Sequence, residues 1–230
     1  MASRIQDQEA PPRASVALPR RAARSQSEEA YLRIRDRIVS LDLAPGSVVN
    51  EARLQQELAI GRTPIREALQ RLAHEKLVHS VPHRGTFVTD VKITDLARIT
   101  EVRVVLEGHA ARLAAERCTT ADRAVLNELL AALKGRRTMD QRIHRQIYES
   151  ARNSFLESTL ERYFNLSLRL WFLVLDHEVR LGAAVEEHAE LLEAVMTGDG
   201  DRAEAIMRRH VSGFEHEIRK ALVGGHDAHA

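Results

Sequence analysis

The chain has 230 residues, 44% of them hydrophobic and 4% aromatic, so two domains of ordinary size with packed cores fit its length. No stretch approaches the roughly 18 consecutive apolar residues of a membrane-spanning helix, and a single cysteine, Cys118, excludes an internal disulfide framework and suits a reducing cytoplasm. The formal net charge is +1, but residues 1–90 carry 14 Lys and Arg against 11 Asp and Glu, whereas the remainder carries 20 against 22, so the N-terminal part is the more basic.

The first segment, residues 1–26, combines prolines and arginines with little apolar periodicity. It contains no hydrophobic core of a secretory signal peptide. This composition favours a disordered basic arm, because such a segment cannot bury enough apolar surface to fold. At the other end of the chain, residues 223–230 are predicted to form a flexible tail.

Three short helices are predicted next. Apolar residues recur at helical spacing between residues 27 and 41, and Pro45 and Gly46 then mark a turn. A second helix is expected from about residue 51 to residue 58. A short connection leads into a third helix, which we expect Thr63 to cap, with Pro64 in its first turn. Two short helices joined by a tight turn make a helix-turn-helix.

The third helix begins with two arginines. Arg62 and Arg66 are four residues apart and therefore project from the same side. Two guanidinium groups at a helix N-terminus suit phosphate contacts and bidentate recognition of guanine edges in a major groove. Spacing alone favours a solvated basic face, so the flanking elements decide. Two β-prone runs follow around a tip that carries His83 and Arg84, which predicts a wing and hence a winged helix-turn-helix.

This region resembles the N-terminal domain of GntR-type transcription regulators. The residues that carry the resemblance are Pro45-Gly46, Glu51, Leu54, Arg62-Thr63-Pro64-Ile65-Arg66-Glu67-Ala68-Leu69, Leu72, Leu77-Val78, Pro82 and Arg84-Gly85-Thr86-Phe87-Val88. In that family the matching arginines and the wing bind operator DNA. The candidate DNA-contacting residues are therefore Arg62, Thr63, Arg66, His83, Arg84, Gly85 and Thr86, with Arg53 as a further candidate. The chain departs from the family at Gly61, usually Ser or Thr, and at Ala59 and Lys76, usually Gly.

The second half of the chain is predicted to be helical almost throughout. After a long helix that begins near Leu96, further helices are expected near residues 121–134, 138–151, 154–176, 180–197 and 201–222. No strand alternation or dinucleotide-binding glycine pattern is present. The sequence therefore predicts a mainly α fold, in which a winged helix-turn-helix at residues 27–91 precedes an all-helical bundle at residues 92–222.

Four side chains of the predicted bundle suit a metal ion. Asp140 and His144 are four residues apart and share one helix face, while His188 and His210 lie on two later helices. A carboxylate and three imidazoles that converge would bind a divalent transition metal and leave coordination positions open. Spacing alone leaves the question open, because the chain has 11 histidines and distant ones need not meet.

The second half resembles the FCD ligand-binding domain of FadR-type GntR regulators. In that domain an Asp-x-x-x-His pair, a His after an acidic residue and a His on the last helix hold a metal, which implies zinc, nickel or manganese here. The matching residues are Asp140, His144, His188 and His210. Arg103 and Glu107 resemble the Arg-x-x-x-Glu of the domain's first helix, and we expect Arg103 to hold an acidic group of an effector.

Two further residues have two interpretations each. Asn153 and Trp171 line the effector cavity in one interpretation, and Asn153 is on that ground a candidate effector-binding residue. In the other, Asn153 is an ordinary polar residue at a helix end and Trp171 is an ordinary core aromatic. The sequence does not decide between them.

Together, the two halves predict a cytoplasmic, homodimeric transcription regulator that is not an enzyme. It is expected to bind double-stranded operator DNA, to act as a repressor, and to be released by a small carboxylate at the metal site. One alternative is a metal-dependent hydrolase that uses the same Asp and His residues to activate water, although it lacks an obvious general base and leaves the winged helix unexplained. Another is a DNA-binding regulator whose metal is purely structural.

Overall fold

The computed structural model describes residues 25–133, 139–174 and 182–224. Residues 1–24 of the predicted arm and residues 225–230 of the predicted tail lie outside these ranges. Gln26, at the end of the predicted arm, and residues 223–224, at the start of the predicted tail, belong to helices instead. Within them the elements follow in the order α1 (Gln26–Val39), α2 (Glu51–Leu58), α3 (Arg62–His74), β1 (Val78–Val81), β2 (Gly85–Val88), α4 (Leu96–Arg117), α5 (Thr120–Ala132), α6 (Met139–Ser150), α7 (Ser154–Val174), α8 (Gly182–Thr197) and α9 (Gly200–Gly224). The predicted mainly α fold class is confirmed.

The N-terminal half folds around an apolar core that α1, α2 and α3 share. Ile34, Ile65 and Leu72 are fully buried in this core. The side chain of Ser25 caps α1, and that of Asn50 caps α2 by accepting a hydrogen bond from a backbone N–H of the first turn. The antiparallel strands β1 and β2 follow as a hairpin. The predicted winged helix-turn-helix is therefore present.

The start of α3 differs from its prediction in one detail. Gly61 is the N-cap and makes no side-chain hydrogen bond, and the amide of Ile65 donates to its carbonyl at 3.3 Å. The first helical hydrogen bond thus begins before Thr63, so the prediction that Thr63 caps the helix was wrong. Thr63 instead lies exposed inside the first turn, beside Pro64, which occupies that turn as predicted.

The C-terminal half is a bundle of α4 to α9, in which the long helices α4 and α9 pack against each other along their length. A capping box between Thr119 and Asp122 starts α5. The predicted helices agree with the observed ones to within about two residues wherever the structure describes both ends, which is the usual uncertainty of a helix boundary. No helix in the described ranges is long and apolar enough to cross a membrane.

Helix α7 joins the two halves. Val39 of α1 is buried in one cluster with Tyr148 of α6 and Phe164 of α7. Leu166 of α7 packs against the core of the N-terminal half. Arg169, also on α7, donates a hydrogen bond to the backbone carbonyl of Thr89, which lies just after β2. The bundle is therefore in direct contact with the winged helix-turn-helix.

Two residues that stand where the resembled family usually has glycine adopt a strained backbone conformation. Ala59 and Lys76 have φ angles of 55° and 63°, in the left-handed region that strains side chains with a Cβ atom. Ala59→Gly and Lys76→Gly should each raise the free energy of unfolding by about 0.5–1 kcal/mol, because relief of strain exceeds the entropy that glycine adds to the unfolded chain. Denaturant titration measures the difference.

The matched control is Ala52→Gly, at an exposed helical position of α2. Glycine there should instead lower the free energy of unfolding by roughly 0.5–1 kcal/mol, since the helix gains no relief of strain. Destabilisation of all three variants to the same extent would contradict the assignment of strain to positions 59 and 76.

Candidate nucleic-acid face and metal centre

An exposed polar face extends from the start of α3 to the tip of the hairpin. Arg62, Thr63 and Arg66 are exposed on α3. At the tip, the amide of Arg84 donates to the carbonyl of Val81 at 3.0 Å and closes a tight turn. His83, Arg84 and Gly85 are exposed, Thr86 is half-buried, and Arg53 is exposed on α2.

A cleft of about 530 Å³ separates α3 from the hairpin. Its lining residues are Glu51, Arg66, Leu69, Gln70, Ala73, His74, Ser80 and Thr86. A DNA backbone would occupy such a cleft if α3 entered the major groove and the wing reached the adjacent minor groove. Gln70 was not predicted as a contact, although it lies four residues after Arg66 and continues the Arg62–Arg66 spacing along the helix.

Two of the candidate arginines form ion pairs. Nε of Arg53 lies 2.5 Å from Oε1 of Glu57, and Nε of Arg66 lies 3.1 Å from Oε2 of Glu51. Hydrogen bonds from Arg53, and from Arg37 on α1, lower the pKa of Glu57. Within the described ranges, no carboxylate pairs with Arg62. Arg62 and Arg66, two of the three arginines of α3, therefore differ in how firmly they are held.

The four predicted metal ligands converge in the bundle. Helix α6 contributes Asp140 and His144, α8 contributes His188, and α9 contributes His210; one potential ligand atom of each lies within 4.8 Å of the other three. Oδ1 of Asp140 lies 3.5, 3.1 and 3.7 Å from Nε2 of the three imidazoles in that order. Two ligands about 2.1 Å from one ion are roughly 3.0–3.4 Å apart when adjacent, so these spacings suit a transition metal.

Burial also fits a metal. The three imidazoles are buried, and Nε2 of His188 is buried without a hydrogen-bond partner despite its 3.1 Å distance from the carboxylate of Asp140. A buried imidazole nitrogen with a free lone pair is the donor that a divalent ion requires. The side chain of Asp140, by contrast, is 36% exposed, so the cluster approaches the surface on this side.

Two carboxylates contact two of the three imidazoles through Nδ1, the ring nitrogen that does not face Asp140. Oε2 of Glu107 lies 2.6 Å from Nδ1 of His144, and Oε2 of Glu187 lies 3.0 Å from Nδ1 of His210. Such contacts fix the tautomer of a histidine and direct Nε2 toward the ligand position. Glu107 was expected only from a resemblance, and Glu187 was not predicted, although its place directly before His188 was a signal.

The pKa values of the cluster reflect opposing effects. Burial disfavours the imidazolium form of His144, but the carboxylates of Glu107 and Asp140 outweigh burial and raise its pKa to about 9. Burial lowers the pKa of His188. For Glu107, burial disfavours ionisation, but Arg103 and His144 outweigh it and lower the pKa to about 2. The carboxylate behind His144 is therefore ionised at neutral pH.

The candidate effector residues have other partners in the structure. Arg103 is buried, with Nε 2.5 Å from Oε1 of Glu107 and Nη1 2.5 Å from Oγ of Ser167. Oδ1 of Asn153 accepts a hydrogen bond from the amide of Leu156 at 3.2 Å and so caps α7. Trp171 packs in a core cluster, its ring centroid 5.5 Å from that of Phe214. Effector binding by Arg103 and Asn153 stays a prediction. In the structure, Asn153 lies at a helix end and Trp171 lies in a core cluster, as the second interpretation of each residue expected.

Comparison with known proteins matches both halves of the chain to families. Residues 26–88 match the bacterial regulatory proteins of the gntR family, and residues 98–213 match the FCD domain. The galactonate operon transcriptional repressor of Escherichia coli K12 is 31% identical over 200 residues, which cover 73% of this chain and 85% of that protein. An uncharacterised transcriptional regulator of Streptomyces ambofaciens is 29% identical over 211 residues, 86% of each chain.

A solved structure has the same fold. The E. coli McbR/YncC structure superposes with a TM-score of 0.72 at 23% identity, and the match covers 84% of this chain and 98% of that one. At this level of identity the likeness concerns the fold alone. It supports the arrangement of a winged helix-turn-helix followed by a helical bundle.

The carboxylate behind His144 makes a testable contribution to metal affinity. Glu107→Gln keeps the volume but removes the charge that orients and polarises the imidazole, so the affinity for Zn²⁺ or Ni²⁺ should fall about 10–100-fold. Glu187→Gln, which acts on His210, should lower it as well and leaves the buried Arg103–Glu107 pair intact. Competition with a chromogenic chelator measures both affinities.

Glu101→Gln is the control, because it removes an exposed carboxylate from the same helix as Glu107. Its metal affinity should equal that of the unmodified protein. Thermal melting of each metal-free variant shows whether the fold is kept. Unchanged metal affinity in a folded Glu187→Gln protein and in a folded Glu107→Gln protein would show that these carboxylates do not support the ligands.

Proposed function

The chain belongs to the gntR family of bacterial regulatory proteins, and from this premise we propose that it represses transcription until a small carboxylate metabolite binds at a metal centre in its helical half. The chain is a DNA-binding transcription regulator, and the prediction that it is not an enzyme is confirmed by the families and relatives that it matches. The hydrolase alternative is therefore set aside. We place the protein in the cytoplasm, where its operator is.

The observation that carries the proposal is the position of α7 between the two halves. The ring of Phe164 stacks on the imidazole of His144, with 4.8 Å between centroids and 29° between planes. Ser167 accepts the hydrogen bond from Arg103, which holds Glu107. On the same helix, Arg169 binds the carbonyl of Thr89. A displacement of the proposed metal ligands would therefore act on a helix that also contacts the DNA-binding half.

The residues of the cluster define the class of effector. Asp140, His144, His188 and His210 would hold the ion, and a bound divalent ion would supply positive charge with open coordination positions for a carboxylate oxygen. The half-exposed Asp140 marks the side from which a small acid can approach. One relative is named for a galactonate operon, and galactonate is a carboxylate. A sugar acid or another small hydroxy acid is thus a reasonable first candidate.

Regulation requires the acid to favour one arrangement of the molecule over another. We propose a homodimer, in which two α3 helices contact the two halves of a pseudo-palindromic operator. Binding of an acid near Asp140 would shift His144 and α7 and so change the angle at which each winged helix-turn-helix meets DNA. Affinity for the operator then falls without any change in the contacting residues themselves.

The metal and effector proposal is tested on the duplex upstream of the chain's own gene. We expect the Zn²⁺-loaded protein to bind this duplex and to lose affinity about 5–150-fold when the correct acid is added, which is the usual range of coupling between two sites. His188→Ala removes a ligand from the cluster but none from the DNA face. It should therefore bind the duplex and fail to respond. Fluorescence anisotropy over a panel of small acids measures both properties.

The outcomes separate the alternatives. If a chelator lowers the melting temperature but leaves the response to acids unchanged, the metal is structural only. If His188→Ala responds like the unmodified protein, the effector does not bind at this cluster. Failure of the unmodified protein to bind any upstream duplex would instead count against the proposed target and leave the metal centre to be tested by chelator competition.

The junction on α7 gives a second prediction. Arg169 is 1% exposed, and burial, which nearby Asp90 only partly offsets, lowers its pKa to about 10. Arg169→Met should leave α3 and its affinity for DNA unchanged but weaken the contact between α7 and Thr89. The factor by which the acid lowers the affinity for DNA should therefore be at least about threefold smaller than in the unmodified protein. Anisotropy titrations with and without the acid give this ratio.

Arg219→Met is the control for the loss of a cation, because Arg219 is exposed on α9 and pairs only with Glu215 among the described residues. It should show the full response to the acid. Equal responses in a folded Arg169→Met protein and in this control would show that the Arg169–Thr89 contact does not transmit the effect.

A further inference from the structure

A carboxylate from α2 contacts the second arginine of α3. Glu51 is the first residue of α2, directly after the cap Asn50, where the helix dipole stabilises a negative charge. Its Oε2 accepts a hydrogen bond from Nε of Arg66 at 3.1 Å. Both side chains line the cleft between α3 and the hairpin. The ion pair therefore lies on the surface that faces DNA.

The ion pair restricts how Arg66 can contact a base. A guanidinium carries five N–H groups, and bidentate contacts use either the edge that contains Nε or the terminal pair of Nη groups. With Nε committed to Glu51, the terminal pair remains for the O6 and N7 acceptors of a guanine. We propose that Glu51 is a specificity-determining residue, which orients Arg66 so that it contacts bases and discriminates among them.

The neighbouring arginines lack this arrangement. Arg62, at the start of the same helix, is exposed and has no carboxylate partner within the described ranges. Arg53, on α2, pairs with Glu57, which also accepts a hydrogen bond from Arg37 of α1. Arg62 and Arg53 are thus suited to phosphates, whose positions vary little with sequence. Arg71, also on α3, pairs with Glu28 and Glu75 but does not line the cleft. Among the described residues, Arg66 is the arginine that both lines the cleft and pairs with a carboxylate there.

The charge of Glu51 acts against binding in general. A carboxylate beside the cleft repels the phosphate backbone, so it lowers the affinity for every duplex, more at low salt than at high salt. Glu51 would therefore weaken non-specific binding while it strengthens discrimination. These opposite effects distinguish a positioning residue from a residue that only adds or removes charge.

The experiment uses the full chain and a randomised duplex library, from which bound sequences are selected and counted. Glu51→Ala should reduce base preference roughly tenfold at the positions that Arg66→Ala also loses, and it should raise affinity for unselected duplex a few-fold. Glu57→Ala is the matched control, because it removes an arginine-paired carboxylate from the same helix. It should raise non-specific affinity and leave the base preference unchanged.

A double variant separates orientation from charge. If Glu51 acts through Arg66, adding Glu51→Ala to Arg66→Ala should cause no further loss of preference. A preference unchanged in Glu51→Ala, lost equally in Glu57→Ala, or reduced further in the double variant would overturn the proposal. Should Glu51→Ala melt early, Glu51→Met provides the same comparison, because it keeps a similar side-chain volume and has no oxygen to accept the hydrogen bond from Nε of Arg66. The proposal rests on DNA binding and not on the metal centre, so unmodified protein that selects no sequence would contradict the operator role itself.

Discussion

The helical half depends on the burial of one carboxylate between two cations. Glu107 is fully buried, with one oxygen on Arg103 and the other on His144. A buried charge without partners is strongly destabilising, so the loss of either contact should lower the free energy of unfolding of the bundle. Because Arg103 in turn binds Ser167, a single chain of hydrogen bonds fixes α4, α6 and α7 relative to one another. Of the four proposed metal ligands, His144 is held directly by this chain of hydrogen bonds.

This arrangement gives Arg103 a structural role in addition to the effector-binding role predicted for it. As a side chain in a cavity, it would be free to bind an acidic ligand with both nitrogens of its fork. In the structure it is the counter-ion of Glu107, and the rings of Phe164 and Phe214 lie 5.3 and 5.5 Å from its guanidinium carbon. Its charge is thus balanced by that of Glu107 in the structure, and direct binding of an effector by Arg103 stays a prediction.

The elements could be predicted from the sequence because their signals are local. Helical spacing gave the helices, Pro45 and Gly46 marked a turn, and the four-residue spacing of Asp140 and His144 placed both on one face of α6. The prediction that Thr63 caps α3 was wrong by two residues, because Gly61 is the N-cap and needs no side-chain hydrogen bond to be so. The convergence of the four ligands was expected from resemblance, since spacing on separate helices cannot establish it.

The supporting contacts could not be predicted, because they join residues far apart in the chain. Glu107 and His144 are separated by 37 residues, and Arg169 and Thr89 by 80. Glu51 and Arg66 are 15 residues apart, but their contact depends on the angle between α2 and α3. Sequence periodicity identifies which face of a helix is buried and carries no information about which neighbour that face meets.

The composition of α7 determines how it can move. The helix has 21 residues, about 31 Å of uninterrupted backbone, and contains neither glycine nor proline, the residues at which helices usually kink. Phe164, Ser167 and Arg169 lie within two turns of one another. With no glycine or proline between Phe164 and Arg169, we expect α7 to tilt or slide as one body. A displacement of the imidazole of His144 would then also move the contact with the carbonyl of Thr89.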